Sequence, residues 1–451
     1  MQFVRIISTW TFSLFLAGSL DAANPPPGID VPTDIRQKLE NRVCQLGTAI
    51  NTLNEQVLDD PKTKALIPDI QIYYNAVRYA LVHHQFYSDK KPNEFEVASR
   101  LLETGMQRAR ALLAGNAPWT RQTGLVVRGY NSNVDGSAQP YGLEIPDTYD
   151  FDSPKAQRLD IWYHGRGDTL SEIKFIHDRE NSPGKFQSSD TIVLHPFGRY
   201  CNANKFVGEV DTFEAIESVS SRYRIDSGRI AVRGFSMGGA VVWHMATHYA
   251  GRWVAAAPGA GFAETAVYAN VMSKDPLPTW YEQKLYNLYD ATKYAGNLFH
   301  CPTIAYSGSD DKQKQAADIM SEYMKTEGLE LPHIIGPGMG HKYDEASIEI
   351  INDQVQAWAA KPIDPFPSEV RFTTHTLRYN QMLWVTVEAL EEHWTRSDIS
   401  ATVLDNKRIE IETKNIRAFS IEVPPQIQTT NPSISINGQR VEALSPISPV
   451  G

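Results

Sequence analysis

The chain has 451 residues, 42% of them hydrophobic, and a formal charge of −10 from 43 basic and 53 acidic side chains. Its length exceeds one ordinary domain, and its apolar content suffices for sizeable cores. The acidic balance argues against nucleic acid or an anionic membrane surface as partner, because both demand a basic face.

Residues 1–23 have the layout of an export signal: one basic residue, Arg5, then an apolar run from Ile6 to Gly18 and small residues through Ala22-Ala23. The run is shorter than the ~20 residues of a spanning helix, so we expect a secreted or periplasmic protein with no membrane span after cleavage. From Thr33 to about Ala114 the apolar spacing is helical, with runs at Asp34–Val57, Ile70–Leu81 and Glu94–Leu113. Asn93 is placed as an N-cap of the third run. We assign residues 24–118 to a helical domain.

Strand and helix runs alternate over residues 119–361, which implies a doubly wound, mostly parallel sheet. Strands are expected at Gly124–Tyr130, Gln139–Ile145, Leu159–Tyr163, Thr191–Pro196, Arg229–Arg233, Pro302–Gly308 and from Pro332. Residues 262–300 are an excess between strands, carrying Trp280, Tyr281, Tyr286 and Tyr289, and suit a pocket wall or lid. After the proline-rich Pro362–Pro367, short alternating runs predict half-buried antiparallel strands, read as a small β-sandwich over 366–445 with Trp384 and Trp394 in its core. Three cysteines are too few for a disulfide framework. Cys201 follows one strand and Cys301 precedes another, so in a parallel sheet they fall at opposite ends, too far apart to bridge, and Cys44 is expected as a buried free thiol.

The chemistry concentrates in Gly234-Phe-Ser-Met-Gly-Gly239, between an apolar strand and a helix-like run. Strand, Gly-x-Ser-x-Gly turn and helix make a nucleophile elbow, in which Gly234 and Gly238 leave room for the tight turn around Ser236. A serine nucleophile needs a base, oriented in turn by an acid. Downstream, Asp310 and Asp311 follow one strand, and His341 follows the next; these are the strand ends where open α/β sheets place their sites. We take His341 as base and Asp311 as acid, with Asp310 as the alternative. Backbone N–H groups of Met237 and Arg166 are the expected oxyanion donors, with Gly167 in place of Arg166 as the other choice. His164 is read as a structural histidine holding that loop. Arg199, Tyr200 and Trp280 are candidate substrate contacts, although Arg199 is better suited to an ion pair with a nearby acid than to holding a substrate carboxylate.

The set His164-Gly-Arg-Gly167, Gly234-Phe-Ser-Met-Gly-Gly239, Gly308-Ser-Asp-Asp311 and Gly338-Met-Gly-His341 resembles the α/β-hydrolase superfamily over roughly residues 120–362. Within it, the chain is similar to secreted bacterial serine hydrolases related to the prolyl-oligopeptidase catalytic domain and to feruloyl and polyhydroxybutyrate-depolymerase-type esterases. The resemblance implies a Ser236–Asp311–His341 triad and an acyl-enzyme, with no metal or organic cofactor. No internal repeat of a size that would signal a β-propeller is present, which favours esters over short peptides as substrates, free or attached to a polysaccharide. A glycan-binding protein on a retired hydrolase scaffold is the reading from another class.

Overall fold

The computed structural model describes residues 24–56, 60–186, 190–429 and 432–441. The leader expected at 1–23 lies outside them, as do Val57 and residues 442–445. Four helices come first: α1 (Thr33–Gln56), α2 (Pro61–Lys64), α3 (Pro68–Val82) and α4 (Glu94–Leu113). Asn93 caps α4, its side chain accepting from the N–H groups of Phe95 and Glu96. Helix α1 buries one stripe, Leu39, Leu46, Ile50 and Leu53. Cys44 lies on the opposite side of the helix and is exposed, which corrects the expectation of a buried thiol.

The central sheet is built from β1 (Gly124–Asn131), β2 (Ala138–Ile145), β3 (Gln157–Tyr163), β4 (Thr191–Pro196), β5 (Ile225–Phe235), β6 (Ala255–Gly259), β7 (Ala305–Gly308) and β8 (His333–Gly336). Its order is β1-β2-β4-β3-β5-β6-β7-β8. Strand β2 runs antiparallel to both its neighbours, and from β4 onward the pairs are parallel. The helices between these strands are α5 (Glu172–Asn181), α6 (Val207–Ser220), α7 (Met237–His248), α8 (Thr265–Tyr268), α9 (Trp280–Leu285), α10 (Lys314–Thr326) and α11 (Glu345–Trp358). This is the doubly wound, mostly parallel α/β-hydrolase arrangement.

Alternation along the strands feeds separate cores on the two faces. Val126, Leu159, Ile161, Leu194 and Val232 pack with α6 and α7. Ala231, Ala255 and Ala257 pack with Ile351 and Val355 of α11. Val127 and Ala138 join the N-terminal helices and α5. A buried ion pair holds α3 to β1: Arg128 Nη2 and Nε lie 2.8 and 3.0 Å from Asp69 Oδ2, while Gly129 N–H donates to Oδ1 at 2.8 Å.

Two further sheets follow, from β9 (Glu369–Thr374), β10 (Gln381–Met382), β11 (Val385–Leu390), β12 (Ser397–Asp405), β13 (Arg408–Lys414), β14 (Ile416–Ile421), β15 (Ser433–Ile436) and β16 (Gln439–Val441). One has the order β10-β11-β14 and the other β16-β15-β13-β12-β9. They are antiparallel except for β13 and β15, which pair in parallel, a departure from the all-antiparallel expectation. Trp384 is buried between them, whereas Trp394 is only half-buried, at a corner where its backbone N–H donates to His375. Val370, Phe372 and Val387 share the core of α7, so these strands and the α/β region are packed as one.

Candidate active site

Ser236 stands between β5 and α7 with φ 60° and ψ −122°, in the strained region that L side chains rarely occupy. The surrounding backbone leaves no space for side chains. A Cβ on Gly234 would sit 2.5 Å from the Gly238 carbonyl, one on Gly238 would strike the Tyr163 carbonyl, and one on Gly239 the Gly259 carbonyl. The small residues of β6, Ala255-Ala-Ala-Pro-Gly259, let α7 approach this closely. The turn therefore lifts Ser236 to the sheet edge, at the positive end of α7.

The loops after β7 and β8 are zipped together. Ser309 N–H donates to Gly336 O, Asp310 N–H to Met339 O, and Gly338 N–H to Ser309 Oγ, all at 2.9 Å. Gly308 has no Cβ because the Met339 and Gly340 carbonyls occupy that space. This junction brings His341 Nδ1 to 2.8 Å from Asp311 Oδ2. Asp311 Oδ1 accepts from Gln313 N–H at 2.9 Å, so both carboxylate oxygens are engaged. The Asp311 side chain is 3% exposed and that of His341 is 42% exposed. Asp310 points outward and accepts from Ser309 Oγ, so of the two aspartates it is Asp311 that meets the histidine. The Phe235 ring lies 4.8 Å from the His341 ring, which puts the imidazole beside the elbow.

The loop after β3 passes the serine, a Cβ on Gly165 falling 3.7 Å from that of Ser236. His164 ring nitrogens face the carbonyls of Gly165 and Phe197, each at 2.9 Å, bridging the loops after β3 and β4. Burial lowers its pKa, against the pull of the two carbonyls. Gly167 N–H points at Cys201 Sγ at 3.2 Å, and the thiol donates back to Gly167 O. That engagement occupies the Gly167 N–H.

A cavity of about 260 Å³ opens on Ser236 and Met237. The loop after β4 supplies Cys201, Asn202, Ala203 and Lys205, and the insertion supplies Phe262 and Tyr268. Six residues between Gly198 and Phe206 have φ between 47° and 81°, a strained loop of the kind concentrated at functional sites. Three of the expected substrate contacts lie elsewhere. Arg199 is held by Asp135 at 2.5 Å and Asp211 at 2.7 Å. The Tyr200 hydroxyl donates to Asp168 O at 2.7 Å, tying two loops together. Trp280 begins α9 on the outer surface, 76% exposed, where the Thr279–Glu282 capping box holds it away from the cavity. Lys205, Asn202, Phe262 and Tyr268 belong to no motif.

Residues 202–364 match the prolyl oligopeptidase family. A bifunctional acetylxylan esterase/xylanase of Neocallimastix patriciarum is 25% identical over 154 residues, 32% of this chain and 22% of that protein. The chain thus spans about a fifth of that relative's length. Among solved structures, a fluorophosphonate-binding serine hydrolase of Staphylococcus aureus is 16% identical with a TM-score of 0.40, covering 53% of this chain and 99% of that one. A ferulic acid esterase is also 16% identical, with a TM-score of 0.39 over the same shares. Strand order, elbow and family match together identify an α/β-hydrolase domain of the serine hydrolase type in this chain.

Proposed function

We propose that the chain hydrolyses carboxylic esters through Ser236, His341 and Asp311. Ser236 Oγ attacks the carbonyl while His341 takes its proton. Asp311 fixes the imidazole tautomer and stabilises the imidazolium. N–H groups of Met237 and Arg166 receive the oxyanion. His341 then protonates the departing alcohol and activates the water that releases the acid. No step calls for a metal or an organic cofactor.

The lining of the cavity carries the preference for esters. Its charged side chains are Lys205 and Arg166, the latter paired with Asp168 at 2.6 Å, and no carboxylate lines it. A peptide's α-ammonium would need an acidic partner there, and Lys205 would repel it. The esterase part of the Neocallimastix relative's name agrees with this reading. The family match at residues 202–364 favours a peptidase as the second reading. Parallel assays on 4-nitrophenyl acyl esters and aminoacyl anilides, with wild type and Ser236→Ala, separate the two. We expect esters to be cleaved, anilides to be spared, and Ser236→Ala to abolish both turnover and fluorophosphonate labelling. Anilide cleavage exceeding ester cleavage would turn the assignment to the peptidase, and an unlabelled folded wild type would leave only glycan binding. Export through a leader at 1–23 belongs to the same proposal, and N-terminal sequencing of the mature protein tests it.

A further inference from the structure

Lys205 is the most unusual group beside the nucleophile. Its ammonium sits 4.9 Å from the centroid of the Tyr289 ring and 5.4 Å from that of Phe262, held over two aromatic faces. Tyr289 is fixed in turn, its hydroxyl accepting from Phe206 N–H at 3.2 Å. Burial lowers the Lys205 pKa, against the pull of Asp290, and that carboxylate already accepts from Thr265 N–H at 2.9 Å and Thr265 Oγ1 at 2.6 Å. Ring faces attract a cation but leave its N–H donors without acceptors. Lys205 lines the cavity that opens on Ser236, and no carboxylate shares that lining.

We propose that Lys205 selects esters that carry a carboxylate of their own, the substrate's anion completing the ammonium held by Phe262 and Tyr289. One monovalent ammonium between two rings matches a singly charged group. The inference rests on the esterase reading and narrows it to acidic esters. In a chain of net charge −10, with Arg166 already paired to Asp168, Lys205 is an isolated positive charge in the cavity, so the selectivity is local.

The test uses two pairs of substrates on the full-length protein. On the acyl side, the 4-nitrophenyl monoester of adipic acid is compared with 4-nitrophenyl hexanoate. On the alcohol side, 4-acetoxybenzoate is compared with its methyl ester. Wild type should favour the anionic member of at least one pair in kcat/KM, and which pair does so locates the carboxylate. In Lys205→Met that anionic-to-neutral ratio should fall by about tenfold or more, as expected for loss of a charge-assisted hydrogen bond, while Lys205→Arg should retain most of it. Fluorophosphonate labelling of Ser236 in each variant shows that the site is still formed. A ratio unchanged in Lys205→Met, which is what a purely structural lysine would give, overturns the proposal, as does a wild type that prefers the neutral member of both pairs. Absence of turnover on all four esters would refute the esterase reading itself.

Discussion

Replacing Asp311 by Asn tests the site at its least exposed point. The carboxylate accepts from His341 Nδ1 at 2.8 Å and from Gln313 N–H at 2.9 Å. An amide cannot satisfy both, because one of its two ends is a donor. With the NH₂ toward His341, Nδ1 must accept, Nε2 carries the proton, and the base is lost. With the NH₂ toward Gln313, two donors face each other in a buried site at a cost of about 1–3 kcal/mol. Either orientation also removes a negative charge about 4 Å from the imidazolium that forms during attack. At an effective dielectric of about 20 that charge contributes roughly 4 kcal/mol, close to a thousandfold in rate. The wrong tautomer adds to this, so kcat on 4-nitrophenyl acetate should fall by about 10³–10⁴. Asp310→Asn, which alters only an outward-facing carboxylate bonded to Ser309, should stay within about threefold of wild type. Initial rates on purified variants, alongside urea melts to show that both are folded, measure this. Asp311→Asn within about tenfold of wild type, or a larger loss in Asp310→Asn, would refute the assignment.

Gly238→Ala drives a Cβ into the Tyr163 carbonyl and should cost about 1–3 kcal/mol of stability together with most of the activity, read by urea midpoint and ester turnover. Asp69→Ala leaves Arg128 buried and unpaired, the side chains being 0% and 1% exposed, and should lower stability by about 3–5 kcal/mol, again by urea unfolding. Burial holds the imidazoles of His195, His244 and His248 below the ordinary value of 6.5. Their stabilisation is therefore complete above pH 6.5 and is lost as pH falls and the unfolded chain takes up protons, about 1.4 kcal/mol per pH unit for each. Glu172, pushed up to about 8 by burial, works in the opposite direction between 4.5 and 8, so a net loss remains. The urea midpoint should fall between pH 7 and pH 5.5, and a flat or rising midpoint would contradict this.

What the sequence disclosed was chemistry tied to local geometry. Gly234 and Gly238 were legible because the elbow demands them, Asn93 because a cap acts within three residues, and the fully buried β4 because Thr191–Pro196 is one apolar run between turns. Asp311 was preferred to Asp310 from its place after the turn glycine, but Asp310 stayed open as an alternative, since the contact that fixes one rotamer, Gln313 N–H, arises only in the fold. Arg199 forms the ion pair that was preferred for it, but its partners, Asp135 and Asp211, could not be named because they meet it only through the fold. Lys205 gave no signal as a site residue, because the rings that hold it come from an insertion more than fifty residues downstream whose path no periodicity records. Strand β6 was silent for another reason: alanines and glycine show neither alternation nor branching, and they are there to admit α7.

Helix α7 explains why the serine depends on elements far from it in sequence. All twelve of its residues are buried, so it cannot keep a solvated face and needs cover on every side. The sheet covers one side; the 3-10 segment Ala291–His300 and the C-terminal strands cover another. Asn297 joins these, its Nδ2 donating to Thr247 O of α7 and to Thr373 O of β9, each at 2.9 Å, while Thr373 N–H donates to its Oδ1. Glu209 of α6 makes a second junction, accepting from His244 and Tyr249 at 2.6 Å and from Arg378 and Tyr379 at 2.7 and 2.9 Å. Its carboxyl is drawn down to about 2: burial alone would raise it, but these partners prevail. Both junctions tie the helix that begins at the nucleophile to residues beyond 370. The strained φ of Ser236 persists because that helix cannot shift without breaking buried hydrogen bonds at its far end, so the C-terminal strands help set the position of the hydroxyl.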